Sequence, residues 1–332
     1  MDLNVVWFIL LGVLMAGYAF LDGFDLGAGI LHLFSRKEHR RVIMNAIGPV
    51  WDGNEVWLIT FGGALFAAFR VAYATVFSTF YTAFMLLLCA LIFRAASLEF
   101  RNKVDSGLWR SVWDFFFALS SFVAAVLFGV AVGNVLRGLA IKDLVYQGTF
   151  FDFLNVYSVL TGLLVAALFA LHGALYLRMK SEGDLRRQTE GWIRGAFTLF
   201  VLLYGVVALY SVIALPHARA SVLSWLVFPV NILAIYGVWK CTRREKPVAA
   251  FLCNGANMAL MVVSFSAAMF PNLVLSSLDA ASHLTIWNAA NSPKTLAIML
   301  GIVGAGLPLV LAYTAWSYWI FRGKVKVGPY SY

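Results

Sequence analysis

The stretch Gly17-Tyr18-Ala19-Phe20-Leu21-Asp22-Gly23-Phe24-Asp25-Leu26-Gly27-Ala28-Gly29 decides how this chain folds. It lies inside one apolar run over residues 5–33, longer than the about 20 residues a bilayer crossing needs. Two carboxylates, Asp22 and Asp25, stand three apart in it and so share a helix face. Gly23 and Gly27 form a Gly-xxx-Gly pair, which lets a neighbouring helix approach closely and shield those carboxylates from lipid. An ionisable residue inside a span costs at least about 2.5–3.5 kcal/mol on insertion scales, so a pair of them points to a function.

The rest of the chain agrees with a membrane setting. Of its 332 residues 62% are hydrophobic and 12% charged, against roughly half and a quarter in soluble domains. A chain this apolar lacks the polar surface to cover a soluble fold. Composition therefore excludes a soluble enzyme, a disordered protein, a nucleic-acid binder and a secreted disulfide scaffold. Cys89, Cys241 and Cys253 are scattered and show no disulfide or metal spacing. The opening Met-Asp-Leu-Asn has no basic region before its apolar run, so it reads as a retained first helix rather than a cleaved signal.

Apolar runs between charge clusters predict nine spans: 5–33, 51–70, 75–98, 113–136, 157–178, 193–215, 222–240, 250–270 and 296–321. The expected class is an all-α polytopic membrane protein, a single integral domain over 1–332. The first span exceeds the hydrocarbon thickness and should tilt or protrude. With the N-terminus outside, 20 of the 25 Lys and Arg fall on the inner side. Arg70, Arg137, Lys142, Arg219 and Lys294 are left outside. This bias predicts an N-out, C-in topology, because Lys and Arg accumulate in cytoplasmic loops. No connection is long enough to hold a folded soluble domain, so any chemistry resides in the membrane, in short loops or on a partner.

A second acidic cluster, Trp51-Asp52-Gly53-Asn54-Glu55-Val56-Trp57, opens the second span from the same inner side. Asp52 and Glu55 are again three apart. An N-terminal helix cap is an alternative reading of Asp52. It explains less of Glu55, and nothing of Asp22 and Asp25. Consecutive antiparallel spans bring both clusters to one depth. Four carboxylates with no Lys or Arg in either run suit a proton path or a cation site, the alternative being a structural role.

Other polar residues are weaker signals. Arg94, near the inner end of the third span, can snorkel. Asp114 can cap the fourth. His172 and His32 lie within or at the end of spans, while His39, His217 and His283 fall in loops. Five histidines are too few for a multi-haem subunit. A single haem ligand or a hydrogen-bonded structural histidine both remain open. No Cys/His cluster has metal spacing. Trp287 reads as an interfacial anchor.

Five stretches together resemble subunit II of cytochrome bd-type quinol oxidases. They are 17–27, quoted above; Asn45-Ala46-Ile47-Gly48-Pro49-Val50-Trp51-Asp52-Gly53-Asn54-Glu55-Val56-Trp57 running on to Phe69; Phe128-Gly129-Val130-Ala131-Val132-Gly133-Asn134; Ala268-Met269-Phe270-Pro271 with Leu284-Thr285-Ile286-Trp287; and Leu311-Ala312-Tyr313-Thr314-Ala315-Trp316. They fall in order from end to end. The Glu55 form and the short loops are closer to the cyanide-insensitive branch.

The resemblance implies two four-helix bundles plus one peripheral helix, in the bacterial cytoplasmic membrane. It implies an oxidase that takes electrons from quinol and reduces oxygen to water. Its two b-type haems and one d-type haem belong to a partner, subunit I. A small single-helix accessory subunit and a structural quinone or lipid also occur in such complexes. Subunit II is associated with a proton route from the cytoplasm, and Asp22, Asp25 and Asp52 match the family aspartates. Some relatives carry Gln at the position of Glu55. Two other readings stand beside this one: a stand-alone proton- or cation-coupled transporter, and a purely structural scaffold. No paired repeat of the kind transporters show is visible.

Overall fold

A computed structural model of the chain describes residues 2–326 and Gly328. Its helices are α1 (Leu3–His32), α2 (Lys37–Ile47), α3 (Trp51–Ala68), α4 (Arg70–Thr79), α5 (Tyr81–Phe100), α6 (Gly107–Arg137), α7 (Val156–Lys180), α8 (Gly183–Ala214), α9 (Pro216–Ala220), α10 (Val222–Arg243), α11 (Pro247–Met269) and α12 (Pro293–Ile320). Local chemistry starts several of them. Asp2, Ser106, Asn155 and Ser292 accept backbone N–H groups at the starts of α1, α6, α7 and α12. Pro247 and Pro293 take first-turn positions where a missing N–H costs nothing.

Among the described residues, eight helices are long and apolar enough to cross a membrane: α1, α5, α6, α7, α8, α10, α11 and α12. The expected second span is present as α3, but its 18 residues include Asp52 and Glu55 and it is not among those eight. The expected third span is divided. Phe69 and Phe80 leave helical geometry and set α4 apart from α3 and α5. Asn291 fills the break after α3, donating its backbone N–H to Ala68 O (2.8 Å) and its side chain to Ala67 O (3.0 Å).

Two stretches read as connections are helical. The segment 34–50 contains α2, an amphipathic helix that buries Ile43, Met44, Ala46 and Ile47. The segment 179–192 is mostly taken up by extensions of α7 and α8. In both, the apolar run ends at charged residues although the backbone helix continues or restarts, because an amphipathic helix carries charged residues on its open face.

At the opposite end lie two small hairpins. Strands β1 (Ile141–Lys142) and β2 (Val145–Tyr146) pair antiparallel, as do β3 (Asn272–Val274) and β4 (Leu284–Thr285). The β1–β2 turn puts Asp143 and Leu144 at φ +50° and +66°, as a two-residue hairpin of matching twist demands. Ser276 donates to Ile141 O and joins the hairpins.

Helix α7 is central and packs on α1, α6, α8 and α11, while α12 rests against α3 and α1 with little of its surface covered. The α1–α7 crossing is backbone on backbone. A Cβ on Gly27 would strike the Phe169 carbonyl, and one on Gly173 would strike the backbone of Gly27 and Ala28. Gly129 and Gly162 do the same for α6 and α7. Lipid tails supply no hydrophobic drive between helices, so such close van der Waals approach is what holds them together.

Candidate functional site

Asp22 and Asp25 lie on the inward face of α1, and both are fully buried. Asp22 accepts from Tyr18 Oη through Oδ2 (2.8 Å) and from Arg94 Nη1 through Oδ1 (2.8 Å). Arg94 reaches across from α5 and also donates Nη2 to Glu55 Oε1 on α3 (2.5 Å). Its side chain is 1% exposed, so it does not snorkel. Instead it bridges a carboxylate from each acidic cluster.

Asp25 has a different environment. Its Oδ2 accepts from Asn54 Nδ2 (2.7 Å), while its Oδ1 has no partner. Asn54 also donates to Leu21 O (3.2 Å) and accepts from Tyr318 Oη (2.9 Å), which brings α12 to the site. The result is a buried junction of α1, α3, α5 and α12 holding Asp22, Asp25 and Glu55 around the single guanidinium of Arg94. Ion pairing compensates Asp22 and Glu55. Asp25 makes no ion pair, and its one hydrogen-bond donor is the neutral Asn54 amide, so of the three carboxylates it is the one not bonded to Arg94.

Asp52 is outside this junction. It is exposed on α3, and its side chain does not cap that helix, which begins after Val50 without a side-chain cap. Asp52 and Glu55 share a face, so the acidic positions run from the surface of α3 inward. The other carboxylate read as a cap, Asp114, is not one either, because Ser106 caps α6. Asp114 is a buried hub, accepting from His32 Nε2 (2.6 Å), Arg101 Nε (2.5 Å) and Nη2 (3.2 Å), and Arg40 Nη1 (3.0 Å). It locks the ends of α1, α2, α5 and α6 together. Sequence reasoning missed both the hub and the Arg94 bridge, since their partners lie on different helices.

His172 is a packing histidine. Its Nε2 faces Phe20 O (3.0 Å), its Nδ1 faces Asn254 Nδ2 (3.1 Å), and its ring stacks on Phe251 with centroids 4.2 Å apart. Both ring nitrogens of His172 are thus engaged, whereas His32 places Nε2 on Asp114 and leaves its buried Nδ1 without a partner. Among the described residues, no three His, Cys, Asp or Glu side chains converge to hold a metal ion. Gly23 faces Met258 and Phe169, and Gly27 faces the α7 backbone beside Asp25.

Comparison with known proteins gives one consistent result. Residues 3–321 match the family model of cytochrome bd terminal oxidase subunit II. The chain is 34% identical to the cytochrome bd-I ubiquinol oxidase subunit 2 of Escherichia coli K12, over 97% of this chain and 95% of that protein. It is 35% identical to the cytochrome bd ubiquinol oxidase subunit 2 of Bacillus subtilis, over 98% and 97%. A chain of the bd oxidase of Geobacillus thermodenitrificans has the same fold, with a TM-score of 0.74 at 16% identity, covering 97% of this chain and 99% of that one. Eight apolar helices and these relatives make this a multi-pass protein of the bacterial cytoplasmic membrane. The chain belongs to the cytochrome bd terminal oxidase subunit II family.

Proposed function

We propose that the chain is the haem-free subunit of a quinol:oxygen oxidoreductase, supporting a haem-bearing subunit I and supplying it with cytoplasmic protons. The observation that carries this reading is the buried junction of three carboxylates around one arginine, in which Asp25 makes no ion pair. An electrostatically balanced site would need no such excess. In this reading Asp52 receives protons near the inner surface, Glu55 and Asp22 hold the route's geometry with Arg94, and Asp25 carries the proton onward. Quinol oxidation and oxygen reduction take place on the partner, whose two b-type haems and one d-type haem supply the redox chemistry. Protons released outside by quinol and consumed from inside by oxygen separate charge without a pump.

The topology belongs to the same proposal. Helix α3 is the ninth span, and the chain runs N-out to C-in. One bundle is α1, α3, α5 and α6, the other α7, α8, α10 and α11, and α12 is peripheral. The exposure of Asp52 on α3 supports a polar protein neighbour there, because a carboxylate facing lipid is costly. That neighbour is subunit I, and the described chain forms a single domain. A small accessory subunit and a bound quinone or lipid complete the proposed complex. A stand-alone transporter is not favoured, since the similarity to oxidase subunits runs the whole length.

The test uses Asp25→Asn, Asp22→Asn and Asp52→Asn in the intact complex. Each variant should assemble with normal haem absorption yet consume oxygen more slowly, about tenfold or more for Asp25→Asn and Asp52→Asn, as loss of a proton-transfer group does, and less for Asp22→Asn, which disturbs only the positioning of the route. Membrane potential should fall in proportion. Wild-type turnover and potential in all three would refute the proton role. Loss of the haems would assign the carboxylates to structure.

A further inference from the structure

The α6–α7 end of the molecule contains an open cavity of about 440 Å³, a size suited to a small ligand or headgroup. Arg137, Tyr146, Phe151, Asp152 and Leu154 are among its lining residues. It is remote from the Asp22–Arg94 junction, and the proposed proton role leaves it unused.

Two features define what it fits. The first is a pair of opposite charges that do not meet. Arg137 and Asp152 line the same cavity yet form no ion pair with each other, and Arg137 forms none with any described residue. Asp152 accepts from Thr149 N (2.6 Å) and Thr149 Oγ1 (3.1 Å), both on Oδ2. Those bonds fix the carboxylate and leave Oδ1 available. A purely anionic ligand would gain Arg137 and be opposed by Asp152. A purely cationic one would meet the reverse. A zwitterion satisfies both.

The second feature is the apolar margin. Phe151 is 77% exposed and Leu154 50%, and Val156 at the start of α7 is 68% exposed. Side chains of this kind at a helix end belong against acyl chains, with the charged groups at headgroup depth. Arginine is suited to the phosphate, because its planar fork donates two parallel hydrogen bonds. A primary ammonium donates hydrogen bonds that a carboxylate oxygen accepts.

We propose that this cavity binds the phosphoethanolamine headgroup of a membrane lipid, phosphate on Arg137 and ammonium on Asp152. The acyl chains lie along Phe151, Leu154 and Val156.

The intact oxidase complex, delipidated and reconstituted in nanodiscs of defined phosphatidylethanolamine and phosphatidylglycerol mixtures, tests this by native mass spectrometry. Wild type should retain one phosphatidylethanolamine that Arg137→Gln loses, with about tenfold weaker retention for one charged hydrogen-bonding group removed. Asp152→Asn should lower the preference for phosphatidylethanolamine over phosphatidylglycerol by a similar factor. Free phosphoethanolamine at the lipid's concentration should not displace it, because it lacks the acyl contacts. Both variants change exposed residues, so an unshifted melting temperature accompanies the expected result. Identical lipid retention in wild type and both variants overturns the proposal, as does equal retention of phosphatidylglycerol by wild type. Displacement by the free headgroup overturns the lipid assignment.

Discussion

Arg94→Met tests the architecture of the junction most directly. Arg94 and Asp22 are 1% and 0% exposed and 2.8 Å apart, and Glu55 is 2.5 Å away on the other side of the guanidinium. At an effective dielectric of about 20, the gross attraction to Asp22 alone is about 6 kcal/mol. Desolvation offsets much of it, so the net worth of the pair is small, but removing one partner strands the other. Stranding a buried charge costs about 3–5 kcal/mol. Glu55 is 23% exposed and can turn partly outward, so Asp22 bears most of that cost. The assay is the temperature at which the purified complex loses its haem absorption. Arg94→Met should lower it on the order of 10 °C. The double variant Arg94→Met with Asp22→Asn removes both charges while Tyr18 keeps a hydrogen-bond partner, and it should recover a large part of the loss. A single variant that melts with wild type would refute this account. So would a double variant no more stable than Arg94→Met.

Three further outcomes follow from the geometry. Gly27→Ala forces a methyl into the Phe169 carbonyl. It should cost about 1–3 kcal/mol or more and reduce the yield of assembled complex, whereas Gly62→Ala, whose Cβ meets nothing, should leave yield unchanged. Asp114→Asn removes the charge shared by His32, Arg40 and Arg101 and should destabilise by about 3–5 kcal/mol, read as a lower melting temperature. His172→Phe loses two buried hydrogen bonds, at about 1–3 kcal/mol, but should leave haem absorption unchanged. A shifted haem band would mark His172 as a ligand.

Much of the helical layout was legible because it depends on short-range information. An apolar run of about 20 residues has few options other than a membrane helix, since every backbone polar group must be satisfied within the segment. Charged residues mark the ends of apolar runs, but at α2 and the start of α8 the helix itself carries charge on its open face, so charge there does not mark the end of helix. The division of the expected 75–98 span at Phe80 carried no sequence signal, because neither Gly nor Pro marks it.

By itself the sequence determined the membrane class, the general order of the helices and the membership of Asp22, Asp25 and Glu55 in acidic clusters. Only the tertiary structure decided what those carboxylates touch. Arg94 lies 72 residues from Asp22 and 39 from Glu55, and Tyr318 lies 264 from Asn54. No local periodicity encodes such pairings. They depend on the rotation of each helix about its axis, set by backbone contacts such as Gly27 on Phe169 and Gly173 on Ala28. That same rotation leaves Asp52 on the surface and Asp25 inside without a direct ion pair, a distinction two aspartates in similar acidic runs do not reveal in sequence.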